Sequence, residues 1–182
     1  MISALGMVEL TTVSAGVLAA DTMLKTASVR LIEAHVICPG KYIVLAEGVL
    51  SAVQAAIASV EKTFTSRVSD TFILGNPHEG LFPALYGSVE PPELNALGVV
   101  ECFTAPSALV AADMAAKTAQ VVLLEIRLAR GMCGKSFILL TGELAAVQAA
   151  VSAAEKIVSE NGLLLDTAIL PNPDPDLWKT IL

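Results

Sequence analysis

The sequence predicts two tandem α/β domains, each a ferredoxin-like β-α-β-β-α-β unit with an antiparallel sheet. Three observations predict it. The chain repeats itself almost end to end; within each copy, branched apolar runs alternate with Ala-rich helical stretches; glycine and proline punctuate the junctions.

The repeat is direct. ALGMVELTT at 4–12 returns as ALGVVECFT at 96–104, and AADTMLKTASVRLIE at 19–33 returns as AADMAAKTAQVVLLE at 111–125. GKYIVLAEGVLSAVQAAIASVEK at 40–62 returns as GKSFILLTGELAAVQAAVSAAEK at 134–156, and DTFILGNP at 70–77 as DTAILPNP at 166–173. Roughly half of the aligned positions are identical. The offset grows from 92 to 94 to 96, which places two-residue insertions near 130–131 and 161–162. Insertions are tolerated best in loops. PALYGSVEPPELN at 83–95, with Pro91-Pro92 and acidic flanks, reads as the linker. Residues 1–90 are therefore expected to form the first domain and residues 91–182 the second.

Each element follows from its own residues. ALGMVEL is a short apolar strand. Residues 14–27 carry Ala, Leu, Met and Lys at helical frequency, with Ser14 placed to cap. VRLIEAHVI is rich in branched residues and reads as a strand. CPG makes a turn into the strand KYIVLAEG, so the two strands form a hairpin with its tip at 38–40. Val49, Val53, Ala56, Ile57 and Val60 share one face of an amphipathic helix. DTFIL closes the unit.

Composition narrows the function. Charged residues make up 16% of the chain, against about 25% in ordinary soluble domains, and apolar residues make up 54%. The mean hydropathy of +0.69 would suit a membrane protein. Yet Glu47, Gln54, Asp113, Lys117, Gln120, Glu125 and Arg127 break every stretch approaching the ~18 apolar residues of a membrane span. No basic stretch precedes the first apolar run, which argues against a secretory signal. The excess apolar surface is then expected to be buried between subunits of an obligate oligomer. A net charge of −7 with only 11 Lys and Arg argues against nucleic acid as a partner. Cys38, Cys102 and Cys133 form no CxxC pair, and reduced cytosolic thiols are expected.

The residues also carry a resemblance. ALGMVE at the opening, a helix reading AADTMLK or AADMAAK, a glycine-containing hairpin tip, an AVQAA helix and a strand ending in ILGNPH resemble the bacterial microcompartment shell domain. The resemblance covers both copies, in the usual and not the circularly permuted order. It implies a tandem-domain shell protein: a homotrimer that mimics a hexagonal six-domain tile. Its implied place is a microcompartment shell in the cytoplasm, beside other shell proteins and encapsulated redox enzymes. ICPGK at 37–41 resembles the propanediol-utilisation tandem subunits of this family. That likeness implies a [4Fe–4S] cluster in the central pore, held by Cys38 from three chains. The implied pore loops are Cys38, Pro39 and Gly40, with Gly131, Met132, Cys133 and Gly134. Lys25 and Lys117 match a lysine that the family places on the tile edge. Asn76 and Asn172 stand where single-domain members often carry an arginine, so an arginine edge contact is not expected.

Each candidate also has a plainer reading. A free cysteine in a loop often packs as a small apolar residue, and three thiolates supply only three of the four ligands such a cluster takes. Cys133 is read as an unliganded thiol facing the same pore, and Cys102 as a packed structural thiol. Lys25 and Lys117 follow Asp21 and Asp113 by four residues, the spacing of an ordinary helical ion pair. Glu9 and Glu101 have no nucleophile or second carboxylate at hand, His35 and His78 lack partners in sequence, and no GxGxxG or P-loop spacing occurs. No catalysis is expected. Two alternatives stand beside the cluster-bearing pore. One is an unmetallated pore for small metabolites, favoured by glycine N–H groups. The other is a tandem ferredoxin-like sensor with a small molecule between its repeats, for which fold alone is no argument.

Overall fold

Thr12 and Thr104, each just after an apolar strand, start the first helix of each copy. In the computed structural model, which describes residues 4–90 and 95–181, Thr12 Oγ1 accepts a hydrogen bond from Ala15 N at 3.3 Å. The cap is thus Thr12 and not Ser14, because Thr12 is the residue with extended backbone at the helix entrance. Thr104 and Ser107 form a reciprocal capping box at the equivalent place.

The first unit runs β1 (Ala4–Leu10), α1 (Val13–Thr26), β2 (Arg30–Ile37), β3 (Lys41–Gly48), α2 (Leu50–Thr63) and β4 (Val68–Gly75). Its sheet has the order β2-β3-β1-β4, antiparallel throughout. Ala4, Val8 and Leu10 of β1 and Val44 and Ala46 of β3 face Ala15, Ala19 and Met23 of α1 and Val53, Ile57 and Val60 of α2. Val49 sits at the N-cap and is exposed, so the buried stripe begins at Val53. The helix crosses the sheet at a glycine: a Cβ on Gly6 would lie 2.4 Å from Val53 Cγ1. Gly98 in the second copy has Leu140 and Val151 at 2.7 and 2.9 Å, so the close crossing is repeated.

The second unit contains α3 (Leu81–Tyr86), β5 (Ala96–Cys102), α4 (Ala105–Thr118), β6 (Val122–Arg127), β7 (Ser136–Gly142), α5 (Leu144–Ser159), β8 (Leu164–Leu170) and α6 (Pro175–Ile181). Its sheet order is β6-β7-β5-β8. α6 inserts Trp178 against Leu97, Leu124 and Leu139.

Two features differ from the sequence-based expectation. The units divide after Pro77, and residues 78–90 belong to the second unit. The reason is α3, which overlaps the start of the expected linker and buries Leu81, Ala84 and Leu85, packing on β6 and α4. The Pro91-Pro92 pair of that linker lies outside the described residues. In addition, residues Ala129–Gly134, the loop between β6 and β7, belong to the first unit. Among the described residues, no helix is long and apolar enough to cross a membrane.

Candidate functional site

The hairpin of β2 and β3 ends in Cys38-Pro39-Gly40. Gly40 N–H donates to the Ile37 carbonyl at 2.9 Å, closing the turn. Gly40 has φ +95°, a left-handed conformation that a side chain would strain, and nothing lies within 4 Å of a Cβ there. The peptide bond between Cys38 and Pro39 is cis. Lys41, the first residue of β3, is held by Glu9 at 2.6 Å. Ser69 Oγ donates to the same Glu9 carboxylate at 2.7 Å. Glu9 thus braces the hairpin from β1.

The loop between β6 and β7 turns by a different device. Ala129, Gly131, Cys133 and Gly134 all have positive φ, at 53°, 71°, 54° and 88°. A Cβ on Gly134 would stand 3.8 Å from the Cys38 carbonyl oxygen. The structure thus brings together the two loops that the sequence nominates, within one unit. Of the three thiols, Cys133 is exposed, Cys38 half-buried and Cys102 buried. Burial pushes the Cys102 thiol up to about 11, against a hydrogen bond with Ser107, and the Glu101 charge adds to the rise. Such a thiol is inert packing material.

The loops stand near a pairing of polar side chains that sequence reasoning missed. Glu33 and His35 share a face of β2, with the His35 Nδ1 at 3.1 Å from Glu33 Oε2 and both side chains largely buried. Burial raises the Glu33 carboxyl above its ordinary value of 4.5, and the positive charge of Arg130 opposes that rise. The period-two spacing of Glu33 and His35 was a readable signal. That the charge of Arg130 acts on Glu33 was not, since it comes from the other copy's hairpin loop.

The proposed edge residues are not equivalent. Lys25 meets Asp21 at 2.6 Å with its side chain 75% exposed. Lys117 meets Asp113 at the same distance but is 39% exposed, and Asp113 also accepts the His78 N–H at 2.7 Å. His78 in turn accepts the Gly80 N–H on Nδ1. Among the described residues, no three or more His, Cys, Asp or Glu side chains cluster at metal-binding spacing within one chain. A cluster at Cys38 would draw its thiolates from several chains.

Comparison with known proteins supplies the context. Residues 4–77 and 96–173 each match the family described as BMC domain. The bacterial microcompartment shell protein PduT of Citrobacter freundii is 34% identical over 182 residues, spanning 100% of this chain and 99% of that protein. The shell protein EutK of Salmonella typhimurium is 42% identical over 81 residues, 43% of this chain and 49% of its own. A crystal structure of a microcompartment protein from Desulfitobacterium hafniense superposes with a TM-score of 0.95 at 42% identity, covering 98% of this chain and 99% of that one.

Proposed function

Because the chain belongs to the BMC domain family, we propose that this tandem-domain shell subunit forms trimers whose central pore holds an iron–sulfur cluster on Cys38. Its place is the shell of a cytoplasmic microcompartment, beside other shell proteins. The observation that carries the reading is the position of Cys38. It is a half-buried thiol at the tip of a braced hairpin, beside the 129–134 loop. One such thiol per chain, presented three times at an axis, matches three of the four ligands of a [4Fe–4S] cluster. The bound cluster would supply one-electron chemistry, suited to electron or cluster transfer across the shell toward encapsulated redox enzymes. What the chain itself does is hold the sulfur. Gly40 permits the reversal, and the Glu9–Lys41 pair fixes the hairpin beside its tip. Three Cys38 thiolates would leave one iron of such a cluster to a small external ligand or a partner. No catalytic role is proposed.

Anaerobic reconstitution tests this. The parent is expected to bind iron and sulfide at a native mass of about 57 kDa, three chains of 18.9 kDa. Cys38→Ser should lose both while keeping that mass, and Cys102→Ser should keep both. Iron and sulfide at the parent's level in Cys38→Ser would move the site elsewhere, with Cys133 next. A parent that takes up no cluster would leave the second reading, an open pore for small polar metabolites. That reading is supported by Gly131 and Gly134, which bare backbone groups at the loop beside Cys38.

A further inference from the structure

The segment between the two repeats occurs once per chain and builds a recess of its own in the second unit. Asp113, itself held by Lys117, accepts the His78 N–H and pins the turn at 78–80 onto α4. α3 then lies on β6, and Gly87 at φ +62° turns the chain back across it. What remains is a cavity of about 390 Å³ between residues 78–90 and the start of β6. That size lies within the range of small-molecule sites.

Its lining divides by chemistry. Ala116, Val121, Val122 and Leu123 supply apolar lining, together with Val89. His78, Glu79 and Glu90 supply its polar lining, and among the described residues no Lys or Arg lines the cavity. Among the described residues, neither the Glu79 nor the Glu90 carboxylate has an ion-pair or hydrogen-bond partner. His78 uses Nδ1 to accept the Gly80 N–H, so the neutral ring carries its proton on Nε2. Two uncompensated carboxylates in one recess with apolar lining repel anions and complement a cation with a hydrocarbon body.

We propose that this recess binds a small organic ammonium ion, its apolar part on Val121, Val122 and Leu123 and its charge between Glu79 and Glu90. The site is independent of the pore and its cluster. It gives a shell subunit a cation-selective small-molecule site on a segment that neither repeat contains.

The probe is 2-phenylethylammonium, compared with 2-phenylethanol, which has the same body without the charge. Saturation-transfer NMR on the full chain should give saturable binding of the ammonium at neutral pH, weakening as salt is raised. The alcohol should bind about tenfold more weakly or less, the loss expected for one near-surface charge contact. Glu79→Gln with Glu90→Gln should lower ammonium affinity by a similar factor; both residues are exposed, so the fold is retained. Ser88→Trp should block the recess and abolish binding with both carboxylates intact. No saturable binding in the parent overturns the proposal. So does equal affinity for the alcohol, or unchanged affinity in the double Gln variant.

Discussion

At the residue scale, Glu33 shows what a strand pattern can and cannot reveal. Its alternation with His35 is plain in VRLIEAHVI, but its burial beside Arg130 is a tertiary fact. Burial penalises the charged carboxylate, and the raised value has a definite sign for stability. The folded chain holds the Glu33 proton more tightly than the unfolded chain does. Stability from this group is therefore highest at pH below about 4.5, falls as pH rises through the raised value, and stays lowered above it. Glu33→Gln removes the charge while keeping polar atoms for His35. The variant should melt at a higher temperature than the parent at pH 7, with the gain closing as pH falls toward 4.5. Paired thermal melts across that range check it; a lower melting temperature at pH 7 would mean that the pairing with Arg130 outweighs burial. That Cys38, Gly40 and Cys133 stand in tight turns was legible, because turn chemistry is a local fact. Arg130 was not, because its partner lies in the other repeat.

At the element scale, strands and long helices followed the periodicity closely, and the failures have physical causes. The α1 cap shifted from Ser14 to Thr12 because two hydroxyl residues stand at the entrance and backbone geometry chooses between them. α3 was hidden in a segment rich in Pro and Gly. A six-residue helix is held by packing rather than by propensity, so its sequence carries little signal. The repeats also diverge at one matched strand pair. Arg30 lies opposite Glu47 in the first sheet, and Val122 lies opposite Thr141 in the second. Glu47 is 2% exposed and ion-paired to Arg30, whereas the Thr141 hydroxyl donates to the Ala96 carbonyl at 2.9 Å. Arg30→Ala should cost about 1–3 kcal/mol, since a buried carboxylate loses a partner while the arginine's exposure limits the loss. Arg30→Val with Glu47→Thr imports the second copy's solution, because Ala4 offers the same carbonyl in the same register. The double variant should recover most of that loss. Urea unfolding of the parent and both variants measures it, and a double variant no better than Arg30→Ala would show the two sheets to be unlike at this point.

At the scale of the whole molecule, the two repeats share roughly half of their aligned residues and are unequal in surface. α1 leaves Val17, Leu18 and Leu24 exposed, whereas α4 is covered in part by α3 and buries Ala112, Asp113 and Ala116. This asymmetry was not legible in the repeat itself, because the covering segment lies outside both copies. It separates the two lysines proposed for the tile edge. Lys25 pairs with an exposed Asp21, and an exposed i,i+4 pair is worth only about 0.3–0.5 kcal/mol. Lys117 instead neutralises Asp113, whose carboxylate anchors the turn at His78. Lys25→Ala should leave thermal stability nearly unchanged and reduce the formation of sheets, since a small loss per contact is multiplied along a lattice edge. Lys117→Ala should lower stability by about 1 kcal/mol, because it leaves a largely buried carboxylate with fewer partners. The two effects are read separately: melting temperature for the chain, and electron microscopy of sheets at matched salt for the edge. Sheets formed as readily by Lys25→Ala as by the parent would remove Lys25 from the edge. A Lys117→Ala protein as stable as the parent would show that the His78 turn holds without it.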